Sequence, residues 1–252
     1  MKISVIIPVY NDKRVSKAIE SVLNQKYSGE IEIIIIDGGS TDGTLEVLNK
    51  YKNHLDVLIS EPDRGVFDAI NKGIQLSTGD VVCFLGADDI YQDDKVFADV
   101  ASVLSNSVVD ACYGDIVYVD EKDRIIRYWK SGRYHPWKFY LGWAPPHPSV
   151  FVRKRIHDLY GIFDPRFQIS DHELWIRLFL KYKINVEYIP RVLVRMTIGG
   201  KSNKSLANIV KANIEKAKAW WINKYYFGIL SIIPGIIWKS FQFIKRPPIE
   251  TH

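Results

Sequence analysis

Residues 79–89 constrain the fold of this chain more than any other stretch. They begin with an uninterrupted apolar run, residues 81–85, and end with the two carboxylates of Asp88 and Asp89. An apolar run without polar alternation is typical of a strand that is covered on both faces of a sheet. In open α/β sheets, ligands bind at the carboxyl ends of such strands. We therefore expect Asp88 and Asp89 to face a ligand, the alternative being a solvated turn or a helix N-cap.

Three earlier apolar segments have the same organisation. They comprise residues 3–9, 31–36 and 57–60, and each ends in a polar loop. Between them lie segments with the spacing of amphipathic helices. This alternation predicts an α/β fold with a parallel sheet and helices on both of its faces. The carboxyl ends of the four strands are expected to bring four polar residues to one edge: Asn11, Asp37, Asp63 and Asp88.

Two local features refine this prediction. Pro8 lies near the end of the first apolar run and predicts that strand hydrogen bonding stops there, because proline has no N–H group. Residues 37–44 contain two adjacent glycines, which allow a positive φ or a close approach of the backbone to a ligand. One of three residues in this loop is expected to cap the next helix: Ser40, Thr41 or Asp42.

The acidic edge predicts a particular class of ligand. Carboxylates alone repel phosphate, but a divalent cation can be held by carboxylate and phosphate oxygens together. Arg64 and Lys72 add positive charge near the same edge. A nucleotide diphosphate with Mg²⁺ or Mn²⁺ uses all of these groups. The chain has neither a Gly-x-Gly-x-x-Gly nor a P-loop motif, so dinucleotide and P-loop sites have no support.

Charge and cysteine content exclude other classes of function. The net charge is +5, but residues 201–252 carry nine Lys/Arg and two Asp/Glu, which leaves about −2 for the rest. A near-neutral body with a basic tail argues against a nucleic-acid partner and for a tail that meets an anionic surface. Cys83 and Cys112 lack metal-ligand spacing, so a reducing, cytosolic setting is expected. The N-terminus has no signal-peptide pattern.

Four segments in order resemble the family 2 glycosyltransferases, and together they form a specific signal: residues 4–11, 37–44, 61–73 and 86–89. Two later segments, residues 145–151 and 169–178, extend the resemblance to about residues 3–195. The resemblance implies inverting enzymes with a GT-A fold, which is an α/β fold with a mixed, mostly parallel central sheet flanked by helices. It also implies a nucleotide-sugar half, residues 1–90, and an acceptor half, residues 91–200.

The resemblance assigns roles to individual residues. The residues expected to bind a UDP-sugar donor are Pro8, Tyr10, Asn11, Asp37, Asp63, Arg64, Lys72 and Asp88. Asp88, with Asp89 as a second ligand, would hold Mn²⁺ or Mg²⁺. This sequence has Gly86 where the first aspartate of the family's Asp-x-Asp is usual. It also has Gly38 where many members have a second aspartate that contacts uracil.

Asp171 falls where the family has its catalytic base. The alternative is that this carboxylate only complements the dipole of the helix that begins there. Glu173 is the second choice and would point in a different direction on a helix. His147, between two prolines, and Trp143, in an aromatic-rich run, are expected to contact the acceptor, although such residues are more often packed in a core.

The C-terminal segment, residues 201–252, predicts a basic amphipathic tail. Residues 204–224 have helical spacing, and residues 225–238 form an apolar run of fourteen residues broken by Pro234. Spanning a bilayer takes about 20 residues, so this run is too short. Aromatic and lysine residues around a short apolar stretch favour a helix lying on an anionic membrane surface. The alternative is a C-terminal helix packed on the catalytic domain.

Within the family, the chain looks closest to bacterial enzymes that assemble O-antigen on a lipid carrier. This implies transfer of glucose or galactose from a UDP-sugar in β linkage, β-1,3, to GlcNAc-diphosphoundecaprenol during lipopolysaccharide synthesis. The protein would be peripheral, on the cytoplasmic face of the bacterial inner membrane. Two alternatives remain open: a capsule or exopolysaccharide enzyme that uses another nucleotide sugar, and a non-catalytic nucleotide-sugar-binding module.

Overall fold

The described part of the chain, residues 1–198, 206–235 and 242 of a computed structural model, is organised around one nine-stranded sheet. The strands are β1 (Lys2–Val9), β2 (Glu30–Asp37), β3 (Val57–Ser60), β4 (Val81–Phe84), β5 (Asp89–Tyr91), β6 (Ala111–Val119), β7 (Ile125–Trp129), β8 (Val150–Arg153) and β9 (Val186–Thr197). Their order in the sheet is β3-β2-β1-β4-β8-β6-β9-β5, and β7 pairs with β6.

Helices cover the sheet. They are α1 (Val15–Leu23), α2 (Thr44–Lys50), α3 (Val66–Leu76), α4 (Val96–Leu104), α5 (Pro136–Phe139), α6 (Lys154–Tyr160), α7 (His172–Trp175) and α8 (Leu206–Ile222). α7 continues directly into a π-helical segment, Ile176–Lys181. Short 3₁₀ turns are found at Lys52–His54, His147–Ser149 and Tyr226–Ser231.

The first half of the sheet has the predicted architecture. β1, β2, β3 and β4 are parallel, and each begins and ends within one residue of the predicted segment. Successive side chains of a strand point to opposite faces. Ile6, Ile34 and Phe84 accordingly pack in one hydrophobic core, whereas Ile7 and Ile35 pack in a second core on the other face. These strands have continuous apolar sequences because both of their faces are buried.

The second half of the sheet is mixed. β8 lies between β4 and β6 and is antiparallel to both, whereas β9 is parallel to β6. β5 and β7 are antiparallel to their neighbours. The mixed α/β sheet flanked by helices is therefore confirmed. The insertion of β8 brings the 3₁₀ turn that precedes it beside the carboxyl end of β4.

Pro8 ends pairing on only one side of β1. The pairing of β1 with β4 stops at Ile6, whereas its pairing with β2 continues to Val9 opposite Asp37. The proline ring occupies the side where no strand partner needs an N–H group. The prediction that strand hydrogen bonding stops at Pro8 is thus correct toward β4 and wrong toward β2.

α8 packs on the helices that flank the sheet by one face and is exposed on another. Ala219 and Trp220 are fully buried in the core that also contains Phe139 and Phe179. Val210 and Trp221 on the same helix are mostly exposed. Part of the predicted tail therefore takes the packed arrangement, with an apolar outer face. Residues 201–205, 236–241 and 243–252 lie outside the described residues. Among those described, no helix has both the length and the apolar character needed to cross a bilayer.

His157 in α6 predicts acid sensitivity of the fold. Its side chain is buried, and among the described residues neither ring nitrogen has a hydrogen-bond partner. Burial lowers the pKa of His157 from its ordinary 6.5 to about 4. Below pH 6.5 the unfolded chain takes up this proton while the native protein does not. The contribution to stability is therefore complete above about pH 6.5 and decreases by roughly 1.4 kcal/mol per pH unit toward pH 4.

Urea unfolding at pH 7 and pH 5 measures this contribution. When the pH is lowered from 7 to 5, the free energy of unfolding is expected to decrease in both proteins. The decrease is expected to be about 2 kcal/mol smaller in His157→Leu than in the wild-type protein. Equal losses in the two proteins would contradict the assignment of the neutral ring to His157.

Candidate functional site

The loops after β1 and β2 are joined at the carboxyl edge of the sheet. The backbone N–H of Asn11 donates to Ser40 Oγ at 2.8 Å, and the backbone N–H of Thr41 donates to Asn11 Oδ1 at 2.8 Å. Asn11 has a φ of +49°, a conformation that asparagine adopts more readily than most residues. These contacts confirm that the polar ends of the two strands meet. Asp42, rather than Ser40 or Thr41, accepts the first N–H of α2, from Thr44 at 3.0 Å.

Asp37 is buried and holds the second loop in place. Its carboxylate accepts hydrogen bonds from the backbone N–H groups of Gly39, at 3.2 Å, and Ser40, at 3.0 Å. The hydroxyl groups of Ser40 and Ser60 also donate to it. A buried carboxylate with four donors is satisfied without a ligand. Asp37 thus organises the edge where β2 and β3 end.

Asp63 lies over Gly38. A Cβ atom placed on Gly38 would be 2.7 Å from Asp63 Oδ2 and 3.4 Å from the ring of Tyr10. The other oxygen of Asp63 accepts the backbone N–H of Gly65 at 2.8 Å. The carboxylate of Asp63 therefore occupies the space that a side chain at position 38 would fill. It faces the ring of Tyr10, which is 55% exposed.

Arg64 and Lys72 lie around the first turns of α3 and are paired with acidic residues. Arg64 donates to Asp68 at 2.9 Å, and its side chain is 80% exposed. Lys72 Nζ is 2.7 Å from Glu61 Oε1 and 4.0 Å from Asp68. Exposed pairs of this kind contribute little to stability and exchange readily. The two cations border the site without being fixed to a ligand position.

The carboxylates of Asp88 and Asp89 lie in the space where a side chain at position 86 would be. A Cβ atom on Gly86 would lie 2.6 Å from Asp89 Oδ2 and 3.3 Å from Asp88 Oδ1. Both carboxylates therefore converge on the place where the family's first aspartate would stand. Asp89 is 3% exposed, and its Oδ1 has no hydrogen-bond partner among the described residues. Burial and the neighbouring Asp88 raise the pKa of Asp89 well above its ordinary value.

These two carboxylates have the composition that a divalent cation requires. Adjacent carboxylates repel each other, and a cation between them relieves that repulsion. The unpartnered Asp89 Oδ1 is a buried oxygen with the chemistry of such a ligand. In the part of the chain that the structure describes, no group of three or more His, Cys, Asp or Glu side chains is gathered around one point. The residues thus fit a cation that takes its remaining ligands from a phosphate group.

Arg14 joins the first loop to Asp88, a role that was not predicted from the sequence. Its guanidinium group is 2.5 Å from Asp12 Oδ2 and 3.2 Å from Asp88 Oδ2. Hydrogen bonding to Asp12 raises the pKa of Arg14. A cation beside Asp88 lies where an anionic ligand would be bound. The only sequence signal was its position in the polar loop that follows β1.

Asp171 stands at the N-terminus of α7 and is oriented by its neighbours. Trp175 Nε1 donates to Asp171 Oδ2 at 2.7 Å, and His147 Nδ1 is 3.7 Å from the same oxygen. His172 Nδ1 is 3.4 Å from Asp171 Oδ1. Burial acts to raise the pKa of Asp171, but hydrogen bonding and the neighbouring histidines outweigh it and lower the pKa to about 2. The carboxylate is therefore ionised at pH 7, which is the form that a general base needs.

His147 lies between Asp171 and the end of β4. Its ring stacks on Phe84 with the ring centroids 5.3 Å apart, and Phe163 and Trp175 surround it. Burial lowers the pKa of His147, and Asp171 partly opposes this effect. The ring is mainly neutral at pH 7, so it is a hydrogen-bonding group beside the carboxylate rather than a fixed positive charge.

Asp171 is connected to the strand that leads to Asp88 and Asp89. His147 Nδ1 lies 3.7 Å from Asp171 Oδ2, and the ring of His147 stacks on Phe84, the last residue of β4. Asp89 in β5 and Tyr118 in β6 pair with the same residue of β9, Met196. Burial raises the pKa of Tyr118, Arg127 lowers it, and the carboxylates of Asp89 and Asp171 both raise it further, in agreement with these contacts.

Two of the candidate site residues, Trp143 and Glu173, are buried and bonded within the protein. Trp143 is 3% exposed and its indole N–H donates to the carbonyl of Ser131 at 2.8 Å. The prediction that Trp143 stacks on an acceptor is replaced by a core role, because no face of its ring reaches the surface. Glu173 is buried, and both of its oxygens accept from Arg177, at 2.9 and 3.0 Å. Glu173 is therefore less available than Asp171 to act as a base.

Comparisons with known proteins identify the family of this chain. The family model described as Glycosyl transferase family 2 matches residues 4–158. A PGL/p-HBAD biosynthesis glycosyltransferase from Mycobacterium bovis is 29% identical over 206 residues, which cover 79% of this chain and 78% of that protein.

Solved structures share the fold. The mannosyltransferase PcManGT from Pyrobaculum calidifontis, in complex with GDP-Man and Mn²⁺, has a TM-score of 0.63 at 14% identity and covers 98% of this chain and 76% of its own. S. aureus TarS 1-349 in complex with UDP-GlcNAc has a TM-score of 0.58 at 18% identity, covering 90% of this chain and 71% of its own. A longer TarS chain is matched over 43% of its length.

Proposed function

The chain belongs to glycosyl transferase family 2 and is a glycosyltransferase of GT-A-like fold, and from this premise we propose that it transfers a hexose with inversion. The proposed donor is UDP-glucose or UDP-galactose. The proposed acceptor is a lipid-linked GlcNAc-diphosphate. Transfer of the hexose to this GlcNAc would form a β-1,3 linkage in an O-antigen repeat unit. The proposed location is the cytoplasmic face of the bacterial inner membrane.

The observation that carries this proposal is the position of Asp171. An ionised carboxylate, oriented by the Trp175 indole, lies beside His147, whose ring stacks on Phe84 at the end of the strand that leads to Asp88 and Asp89. Inverting transfer needs a base for the acceptor on one side of the sugar and charge neutralisation for the leaving nucleotide on the other. This site has both kinds of group.

Asp171 receives the proton in the proposed reaction. The acceptor hydroxyl oxygen attacks the anomeric carbon of the donor and forms the new glycosidic bond, while the bond from that carbon to the diphosphate oxygen breaks. The hydroxyl proton passes to Asp171, and the nucleoside diphosphate leaves with the bonding electrons. The Trp175 indole N–H holds the carboxylate in one orientation, with the His147 ring beside it, and such alignment contributes to the rate. A neutral His147 can also accept or donate a hydrogen bond to the acceptor sugar.

Asp88, Asp89 and Arg14 are proposed to bind the leaving diphosphate. Asp88 and Asp89 would hold a divalent cation, Mn²⁺ or Mg²⁺, which supplies Lewis-acid neutralisation of the developing charge when bound. Arg14 lies 3.2 Å from Asp88 and can contact the same phosphates directly. Arg64 and Lys72 would provide further positive charge at the mouth of the site.

The nucleoside is proposed to lie on the loops after β1, β2 and β3. Tyr10 offers an exposed ring for stacking on the base, and the Asp63 carboxylate beside it can accept a base N–H. Asp63 would thus take the role that a second aspartate at position 38 has in other members. Asn11 and Pro8 shape the first loop, and Asp37 acts through the backbone it holds rather than by touching the nucleotide.

A membrane contact is supported by a continuous exposed surface. We call it the apolar surface, and it comprises Trp137, Tyr140, Leu141, Tyr226, Phe227, Leu230 and Ile233, all of them exposed. The surface has two parts, one around residues 137–141 and one around residues 226–233. They adjoin, because the backbone of Gly142 approaches that of Gly235 closely. The ring centroid of Tyr140 also lies 5.2 Å from that of Trp220. Arg133, Lys218 and Lys224 are exposed basic residues in the chain segments that directly precede the two parts of this surface. Aromatic and aliphatic groups with basic neighbours fit an anionic lipid surface.

Removing two side chains from the apolar surface is expected to weaken vesicle binding by about 100-fold. Phe227 and Leu230 are 85% and 70% exposed, so their loss costs little in folding but removes buried area in the lipid-bound state. The affinity of the double variant Phe227→Ser/Leu230→Ser for vesicles that contain phosphatidylglycerol is measured by co-sedimentation. Leu159→Ser is the matched control, because Leu159 is 69% exposed on α6 and outside the apolar surface. Equal losses in both variants would contradict the assignment.

A donor-by-acceptor assay tests the proposed reaction. Purified protein is incubated with UDP-glucose, UDP-galactose, UDP-GlcNAc, UDP-GalNAc or GDP-mannose and a synthetic GlcNAc-diphosphate-lipid, with and without Mn²⁺. Product formation from UDP-glucose or UDP-galactose, with β-1,3 linkage determined by NMR, is the expected result. Transfer only from the other nucleotide sugars would overturn the donor assignment and favour a capsule or exopolysaccharide enzyme. TarS and PcManGT, solved with UDP-GlcNAc and GDP-Man, are the reason for including those sugar classes.

A further inference from the structure

Glu215 on α8 binds the loop that carries the proposed base. It is 4% exposed, and its carboxylate accepts the backbone N–H groups of three consecutive residues. The N–H of Gln168 lies 3.2 Å from Oε1, and those of Ile169 and Ser170 lie 2.9 and 2.8 Å from Oε2. Successive N–H groups of this kind form a concavity that binds an anion. Here the anion is a side chain from 45 residues further along the chain.

The position of this contact is immediately before Asp171. Ser170, the last of the three bound residues, precedes Asp171 directly and is itself buried. The loop before it is exposed, with Pro165 and Arg166 at the surface. Glu215 therefore attaches α8 to the end of the exposed loop, directly before Asp171 and the start of α7.

α8 makes further contacts on both sides of Asp171. Lys211 donates to the side chain of Gln168, and Asn223 Nδ2 lies 3.5 Å from Glu173 Oε1. Glu215 and Ala219 on α8, and Asn223 directly after it, are four residues apart and all buried, and the first and last of them contact the segment from Gln168 to Glu173. None of these groups takes part in the proposed transfer itself.

We propose that Glu215 is a positioning residue, whose carboxylate holds residues 168–170 through their N–H groups and thereby keeps Asp171 in line with the acceptor hydroxyl. This inference rests on the proposed function, since it assigns Asp171 as the base. It extends the catalytic unit to α8, beyond the segment matched by the family model. A displacement of about 1 Å in a reacting group can reduce a rate about 100-fold, so the attachment matters for rate as well as for stability.

Glu215→Ala tests this role. We expect kcat to decrease by about 10- to 100-fold, with the KM for the UDP-sugar and the Kd for UDP unchanged, because the proposed donor residues lie on other loops. Glu215→Gln keeps one accepting oxygen and is expected to retain an intermediate kcat. Hydrogen exchange of the Ile169 and Ser170 amides is expected to become faster in Glu215→Ala.

Ser231→Ala is the matched control. Ser231 is buried and its hydroxyl accepts the Trp220 indole N–H at 3.1 Å, so the variant loosens the packing of α8 without touching residues 168–170. We expect its kcat to stay within about twofold of the wild-type value. If Glu215→Ala lowers kcat no more than Ser231→Ala, or weakens UDP binding as much as it lowers kcat, the positioning role is overturned. Failure of the proposed function would instead appear in the wild-type protein, as absence of transfer from every donor.

Discussion

Replacing Asp171 by Asn is expected to lower kcat by about 1,000-fold or more while the protein stays folded and binds UDP normally. A positioned general base contributes on the order of 10²- to 10⁴-fold, and an amide cannot accept the hydroxyl proton. Asn keeps the size of the side chain and an oxygen that can accept the Trp175 indole N–H. The expected loss therefore comes from chemistry and not from packing. Initial rates at saturating donor, with UDP binding measured by calorimetry, separate the two.

Asp158→Asn is the control for this experiment. Asp158 is an exposed carboxylate on α6 that pairs with Lys154 at 2.8 Å, and its loss is expected to leave kcat unchanged. If Asp171→Asn retains more than about a tenth of the wild-type kcat, Asp171 is not the base. A parallel measurement on Glu173→Gln would then show whether the neighbouring carboxylate has that role.

Replacing Asp88 by Ala is expected to reduce kcat/KM for the UDP-sugar by at least about 100-fold. Neutralising the leaving diphosphate is worth several kcal/mol, and each 1.4 kcal/mol corresponds to a factor of ten in rate. Asp88 is partly exposed, so its loss is expected to leave the fold intact. Wild-type activity is expected to fall when EDTA is added and to return with Mn²⁺, whereas added Mn²⁺ is not expected to restore Asp88→Ala.

Asp94→Ala is the comparison for this second variant. Asp94 follows β5 by three residues and pairs with Lys26 at 2.7 Å. Its loss is expected to change kcat/KM by less than about twofold. Wild-type activity that is indifferent to EDTA and Mn²⁺ would contradict the cation assignment. A large loss in Asp88→Ala together with that indifference would instead point to the ion pair between Asp88 and Arg14 as the important feature.

The strands and loops of the first ninety residues could be predicted because their signals are local. A parallel strand that is buried on both faces needs a continuous apolar sequence, and its loop begins where that sequence ends. The four strands were therefore predicted to within one residue. The meeting of Asn11 with the loop after β2 followed from the parallel order alone. In the mixed second half, β8 and β9 pair with strands that are distant in sequence, so the order of these strands was not predicted from periodicity.

Roles of individual side chains were less predictable. Asp37 and Asp63 look alike in the sequence, yet one carboxylate is enclosed by four donors and the other lies over Gly38 beside an exposed ring. Trp143 looked like a sugar-stacking residue, but its ring is enclosed by other aromatic side chains. In each case the neighbours that decide the role come from separate segments.

By itself, the sequence determined the alternation of strands and helices, the polar edge where the strands end, and the family to which the chain is similar. These properties depend on the periodicity of apolar residues and on short motifs, which are written along the chain. Only the tertiary structure decided which carboxylates are enclosed, that Asp89 takes the space beside Gly86, and that Glu215 holds the loop before Asp171. Hydrogen bonding and burial depend on which segments become neighbours in space, and that is settled by packing of the whole chain.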